Sequence, residues 1–466
     1  MSNFNRVLGA WDIFSLSFGA MIGWGWVVLT GTWINEAGVL GAVLAFFIGG
    51  LVVLLVGLTY AELTSAMPKV GGEHVFSFAG LGLNASFICT WFIILGYVSV
   101  CAFEAVALPV VMENIFPMNH GIPFWTFNGN PIYFGWIGIG CFGAAVIGTI
   151  NYFGIKTASL VQILFTALIL IVGLMLIIGG IFFPPTNLDS IQLFDASKIS
   201  ISMVTVLVMT PFMFVGFDVI PQVAEEINLP FKQIGKILVG SVLMAVLWYV
   251  GIIYSVGNSI SRQEILHEAI APAHAMGKIY MGTWAKKLLL VAGLAGIITS
   301  WNSFFVGATR AIYAMGNSNM LPRSFGLLHP KYKTPQTAIV FVTFLSMLAT
   351  LFGKEALGWL VNAGGLGIVI SWSLVALSFY QLRKKSPLMR RPFKVSFGKG
   401  IGLAAFFCSL GLIYLYLPGN PSSLNGIEWT IVILWLLLGL ILYLWSTGKY
   451  GKLLINKKMK QHANHE

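Results

Sequence analysis

Three glycines fall within seven residues in Gly19-Ala20-Met21-Ile22-Gly23-Trp24-Gly25. A second apolar stretch, Thr210-Pro211-Phe212-Met213-Phe214-Val215-Gly216, opens on a proline and closes on a glycine. Glycine adopts conformations that unwind a helix, and proline removes a hydrogen-bond donor. Each stretch therefore predicts an interruption that bares backbone groups. A helix restarting after a break offers free N–H groups and the positive end of its dipole, which suit a carboxylate. Carbonyls bared at the other break suit an ammonium. Together they predict a site for a zwitterion or small amine, walled by Met21, Ile22, Gly23, Trp24, Gly25, Phe212, Val215 and Gly216. For either stretch alone, packing glycines or a simple kink is the plain alternative. Paired interruptions at equivalent places point to a binding site.

Two acids stand near these breaks. Asp218 follows Gly216 by two residues, where it can cap a resuming half-helix or face the cavity as an ammonium contact or proton site. Glu104 lies eight residues before Met112, about 12 Å along a helix, and no Lys or Arg shares its depth in any apolar run. An unpaired carboxylate in hydrocarbon costs several kcal/mol unless it is protonated, hydrated or paired with ligand. Thr299, Ser300, Asn302 and Ser303 bring oxygens toward the first break. With carbonyls from that break, Ser300 and Ser303 could ligate sodium, although such hydroxyls more often bond their own helix one turn back. The two partnerless acids favour proton coupling over sodium, Asp218 ahead of Glu104. Phe212, Phe214 and Phe304 could roof the site, although such aromatics usually only pack or face lipid. Phe212, inside the break, is the one expected to do so and to gate it, with Phe304 a further candidate substrate contact. Glu62, Glu225, Glu226 and Arg310 can pair to close an inner gate or remain solvated interface charges.

The elements that carry these residues are membrane helices. Of the 466 residues, 57% are hydrophobic and only 9% are charged, against about 25% charged in soluble domains. Charge-free runs of at least 18 residues occupy 13–35, 37–61, 74–103, 114–155, 157–188, 199–217, 237–261, 288–309, 336–353, 356–382, 400–427 and 429–448. Each is near or above the roughly 20 residues that cross a bilayer. The first half of 114–155, with Pro117, Asn119, His120, Pro123, Asn128, Gly129, Asn130 and Pro131, is rich in turn formers and predicts a loop. Twelve crossings with the N-terminus inside leave 21 Lys and Arg in cytoplasmic segments and 6 outside. The net charge of +11 therefore reports orientation rather than nucleic-acid binding, and both termini are expected in the cytoplasm. Cys89, Cys101, Cys141 and Cys408 lie in apolar runs and read as core residues, not a disulfide or metal set.

Three motifs carry a resemblance. The stretch Gly216-Phe217-Asp218-Val219-Ile220-Pro221-Gln222-Val223-Ala224-Glu225-Glu226-Ile227-Asn228-Leu229-Pro230 resembles the sixth-helix signature of the amino acid–polyamine–organocation permeases. Ala61-Glu62-Leu63 with Pro68 and Gly71-Gly72 resembles their motif at the end of helix two. Ala308-Thr309-Arg310-Ala311-Ile312-Tyr313-Ala314-Met315-Gly316, then Leu321-Pro322 and Thr334-Pro335, resembles their helix-eight-to-nine motif. The resemblance implies an all-α polytopic membrane protein of twelve transmembrane helices, built on a five-plus-five inverted repeat of the LeuT-like kind with helices one and six broken. The repeats then occupy 9–184 and 199–382, two further helices 399–448, and a cytoplasmic tail 449–466. It also implies a carrier of amino acids or related amines in the cell membrane, without a cofactor, using H+ or Na+ or exchange.

The chain departs from the family where Trp24 separates Gly23 from Gly25 and Trp26 follows. A narrow site is expected, unless the indoles turn into neighbouring helices. Some proton-coupled members carry a lysine midway along helix five, whereas Thr166-Ala167-Leu168-Ile169 has none. Other function classes fit less well. The loop Met67-Pro68-Lys69-Val70-Gly71-Gly72-Glu73-His74 lacks the basic motif of major-facilitator carriers, and the scattered histidines do not make an enzyme site. A solute-sensing receptor derived from a carrier stays open.

Overall fold

The computed structural model describes residues 4–115, 123–127, 129–183, 201–268, 270–420 and 422–464. These residues are almost entirely helical, and among them ten helices are long and apolar enough to cross a membrane.

Helix α1 (Ala10–Met21) starts where the Gly9 amide donates to Asp12 Oδ2 at 2.7 Å. It ends at Ile22, and α2 (Gly25–Val28) resumes beyond the glycine-rich stretch. In α3 (Thr30–Ala66), Gly38 has φ 71° and ψ 171°, a conformation open to glycine, and divides the element in two. A short α4 (Glu73–Leu81) leads through Gly82 into α5 (Leu83–Ile115). The stretch expected to be a loop contains an antiparallel hairpin, β1 (Pro123–Phe127) with β2 (Asn130–Tyr133). Pro117, Asn119, His120 and Asn128 of that stretch lie outside the described residues. Helices α6 (Phe134–Tyr152) and α7 (Ile155–Phe182) follow.

The second half opens with α8 (Ile201–Phe214) and the short α9 (Val219–Gln222). Here the sequence expectation needs adjusting, because α8 runs through Pro211 and breaks at 215–218 instead. Pro211 cannot donate to the Leu207 carbonyl four residues back, and the Thr210 hydroxyl donates to it instead at 2.8 Å. Then come α10 (Phe231–Gly257), α11 (Arg262–His267), α12 (Ala271–Ile279) and α13 (Thr283–Asn317). In the connection between α10 and α13, Ser261 and Glu264 form a capping box at the start of α11. Burial opposes ionisation of Glu264, yet hydrogen bonds from Lys278, Ser261 and His274 hold its carboxyl down to about 2. The chain ends with α14 (Gln336–Ala349), α15 (Glu355–Lys385), α16 (Gly398–Tyr416), α17 (Gly426–Tyr450) and α18 (Lys452–Asn464).

Burial sorts these helices. The most apolar window of α5 is 89% buried, so α5 is the centre of the bundle. The corresponding window of α17 is only 22% buried, and it turns Ile433, Leu434, Leu437, Leu440, Ile441 and Leu444 outward. An apolar exterior of that extent requires hydrocarbon as its solvent. Lys354 over the Trp136 ring, 4.3 Å from its centroid, and Lys449 over Trp445 at 4.7 Å supply the aromatic and cationic anchors typical of a membrane interface.

Candidate functional site

The two breaks meet. A Cβ built on Gly216, whose φ is 136°, would stand 2.6 Å from the Ala20 Cβ and 2.9 Å from the Met21 amide nitrogen. A Cβ on Gly25 would stand 2.7 Å from the Met213 sulfur. The Tyr249 hydroxyl of α10 donates to the Met21 carbonyl at 2.7 Å and lies 3.3 Å from that of Met213. Unwinding frees these carbonyls, and a tyrosine satisfies both at once. Nothing in the apolar run around Tyr249 marks it for this role in the sequence.

At Gly23 three helices converge. Its Cβ would lie 2.9 Å from Glu104 Oε1 of α5 and 2.9 Å from the Ser300 hydroxyl of α13. From below, a Cβ on Gly296 would come 2.7 Å from the Gly23 carbonyl oxygen, so only glycine lets α13 approach the break. Residues 16–22 and 24–27 are buried, whereas Gly23 is partly accessible. Glu104 is 2% exposed, and its Oε2 has no hydrogen-bond partner. Backbone, carboxyl and hydroxyl are thus presented together at the one accessible point of the first break. A carboxyl so placed can accept from an ammonium or carry a proton.

Asp218 belongs to the second break and is fully buried. It sits at the N-cap of α9 without bonding the α9 amides. Its Oδ1 accepts from the Gly216 amide at 3.1 Å and its Oδ2 from the Trp372 indole at 3.0 Å. Of the two alternatives for Asp218, capping of α9 is not the one seen, since the carboxyl instead accepts from the glycine amide behind it. Among the described residues no hydrogen bond joins Asp218 to Glu104. The Val215 amide bonds the Pro211 carbonyl at 2.9 Å. The Phe212 ring meets Phe103 edge-on at 5.8 Å, beside Glu104 in sequence, and Phe304 lies 5.6 Å from Tyr97.

The predicted sodium set separates. Thr299 bonds back to the Gly296 carbonyl at 3.1 Å. Asn302 donates to Gln162 Oε1 at 2.9 Å and accepts from Asn151 at 2.9 Å. Ser300 stays at Gly23, and the Ser303 hydroxyl is buried without a partner. Where the family lysine would stand, α7 offers Gln162, donating to the Ser15 carbonyl at 2.9 Å, and Thr166, 2.7 Å from a Cβ on Gly19. The Trp24 side chain leaves the break, because Gly293 makes room for its ring on α13. Trp26 meets Trp248 edge-on at 5.5 Å. Both indoles pack into neighbouring helices, so of the two expectations for them this is the one observed.

Of the charges expected to pair or stay solvated, Arg310 and Glu226 pair with each other, and Glu62 pairs with the basic cluster before α16. Arg310 Nε reaches Glu226 at 3.0 Å, with side chains 1% and 3% exposed. The Glu226 carbonyl also accepts from the amides of Val7 and Leu8. Glu62 pairs with Arg383 and with Arg391, the latter at 2.9 Å, and accepts from the Val395 amide at 2.8 Å. The basic cluster before α16 was legible only as interface charge, because no local spacing ties it to Glu62.

The comparisons agree with this geometry. A family model described as Amino acid permease matches residues 12–453. The chain is 28% identical to the branched-chain amino acid permease BcaP of Bacillus subtilis, over 96% of this chain and 94% of that protein. It is 23% identical to the methylthioribose transporter of the same organism, over 97% and 95% of the two chains. An aspartate-proton symporter, also from Bacillus subtilis, is 25% identical over 93% of this chain and 84% of its own length. With two interrupted helices abutting at a buried, glycine-lined contact and a family match that spans nearly every helix, the chain belongs to the amino acid permease family.

Proposed function

We propose that this chain is a secondary active transporter of an amino acid or related small amine, working by alternating access and coupled to protons. The observation that carries the reading is the accessible Gly23 backbone beside the unpaired Glu104 carboxyl and Ser300. Backbone there suits a substrate carboxylate, and the acid suits its ammonium. The names of two similar proteins, a branched-chain amino acid permease and an aspartate-proton symporter, support an amino acid substrate.

Joining α1, α2 and the part of α3 before Gly38 into one crossing, taking the rest of α3 as the next, and adding the shorter apolar segment Gln336–Phe352 would raise the ten crossings to twelve. The breaks then fall in the first helix of each five-helix half, the arrangement expected of an inverted repeat. Repeat boundaries near 184 and 199 lie outside the described residues. With both termini cytoplasmic in the cell membrane, cysteines placed at positions 2 and 465 should resist an impermeant thiol reagent in intact cells. Ready labelling of either overturns this orientation.

Protons are favoured over sodium because Asp218 and Glu104 are buried with no basic side chain paired to either among the described residues, while Asn302 and Thr299 are engaged with protein partners. Uptake into proteoliposomes should follow an imposed pH gradient and ignore sodium. Asp218→Asn should remove that response, lowering gradient-driven accumulation by about tenfold or more, as expected when a proton-relay carboxyl is lost. Sodium-driven uptake, or an Asn variant that still follows the gradient, would refute the proton assignment.

A further inference from the structure

A further buried acid, on α4, bonds the residue one helical turn beyond Asp218 and was singled out by nothing in the sequence. Glu73 opens α4 and is fully buried. Its Oε2 accepts from the side-chain amide of Gln222, four residues beyond Asp218 on the same short helix. Residues so spaced lie on one face. Around the two carboxyls the polar inventory is incomplete. Glu73 Oε1, the Tyr60 hydroxyl, the Tyr97 hydroxyl and Gln222 Oε1 are all buried without a hydrogen-bond partner. The Tyr97 ring of α5 stands beside α9, since a Cβ built on Gly307 would lie 3.0 Å from that ring and 3.3 Å from the Val219 side chain.

Among the described residues, the titratable groups around Glu73 are Asp218 just before α9, Tyr60 from α3, Tyr97 and Cys89 from α5, and His74, its neighbour in sequence, whose ring bonds Ser318 and Thr90. None is a lysine or arginine. The described ion pairs of this region, Arg310 with Glu226 and Arg383 and Arg391 with Glu62, leave Glu73 out. Two carboxylates enclosed together without a lysine or arginine repel each other and each loses its hydration. One proton between them removes the repulsion and leaves a single buried charge in place of two.

We propose that Glu73 is a second proton site, sharing one transported proton with Asp218 across the Tyr97 hydroxyl. This deepens the proton-coupled reading and rests on it. In the transfer, the Asp218 carboxyl gives its proton to the Tyr97 oxygen while the Tyr97 O–H gives its own to Glu73 Oε1. Asp218 ends ionised, Glu73 ends neutral, and the pair keeps a single negative charge throughout. Beyond Glu73, the neighbouring His74 bonds Ser318 at 2.9 Å, at the end of α13.

The test replaces Glu73 by Gln, which keeps the shape and can still bond Gln222. Infrared difference spectra of the full-length protein without substrate, taken across a pH titration, should contain a protonated-carboxyl band in the wild type that vanishes in E73Q. In proteoliposomes E73Q should lose about tenfold or more of its pH-gradient-driven accumulation. Counterflow of labelled for unlabelled substrate, which moves no net proton, should persist. Glu73→Asp should retain a gradient response and shift the band in frequency. An E73Q protein with the band intact, or with an unchanged response to the gradient, overturns the proposal. The infrared measurement needs no substrate, so its failure would sink the Glu73 site alone. A wild type that never accumulates amino acids would sink the transport reading instead.

Discussion

Leucine at Gly23 or at Gly216 should abolish substrate binding while the protein remains inserted in the membrane. Gly216 has both requirements that admit only glycine. Its φ of 136° lies outside the range of ordinary L side chains, and any Cβ would press on Ala20 and the Met21 amide. A non-glycine residue there costs about 1–3 kcal/mol in strain before contacts are counted. The clash adds to that, because its partner is backbone and cannot rotate away. The two breaks must then separate, and the Tyr249 bond to Met21 must lengthen. At Gly23 the geometry is different and the result the same. A side chain there fills the accessible point and displaces Glu104 and Ser300. Each tenfold loss of affinity corresponds to about 1.4 kcal/mol, so the expected loss at either site exceeds roughly 100-fold. Thermal-shift titration with a panel of amino acids, beside size-exclusion profiles, measures it. Wild-type affinity in both variants would remove the breaks as the binding site.

Removing the Arg310 side chain should have the largest effect on stability. Arg310→Met leaves Glu226 buried and unpaired, and breaking an enclosed ion pair from one side costs about 3–5 kcal/mol. A double variant, Arg310→Met with Glu226→Met, should recover most of that loss, since enclosed pairs are often replaceable by apolar residues of similar volume. The double variant also separates a gate from a brace. Arg310 stands near the end of α13, while Glu226 follows α9 and its carbonyl holds the amides of Val7 and Leu8. If the pair closes the inner side, uptake stays at least about tenfold down although thermal stability returns. Uptake that recovers in step with stability would show the pair to be a brace only.

What the sequence revealed, and what it hid, follows from the range of the physics involved. The membrane class was legible because hydrocarbon selects composition over whole helices. The breaks were legible because glycine and proline act on their own backbone. The place of the second break was displaced by a few residues, since a neighbouring threonine hydroxyl substitutes for the donor that Pro211 lacks. Partners across the fold were not legible. Arg383 lies 321 positions from Glu62, and Gln222 lies 149 positions from Glu73. No local periodicity encodes such encounters. The direction of Trp24 depended on a glycine of another helix, Gly293, and was equally out of reach.

The Tyr249 phenol has a mechanical consequence. A hydroxyl owns a single proton, yet two carbonyls, one from each interrupted helix, stand within its reach. Movement that stretches one contact can shorten the other, so the proton can change hands as the half-helices slide. At each stage one carbonyl keeps a full hydrogen bond and the other at most a weak share of it. A lubricated joint of this kind keeps the alternative positions close in energy, and Tyr249→Phe would turn it into a joint with friction.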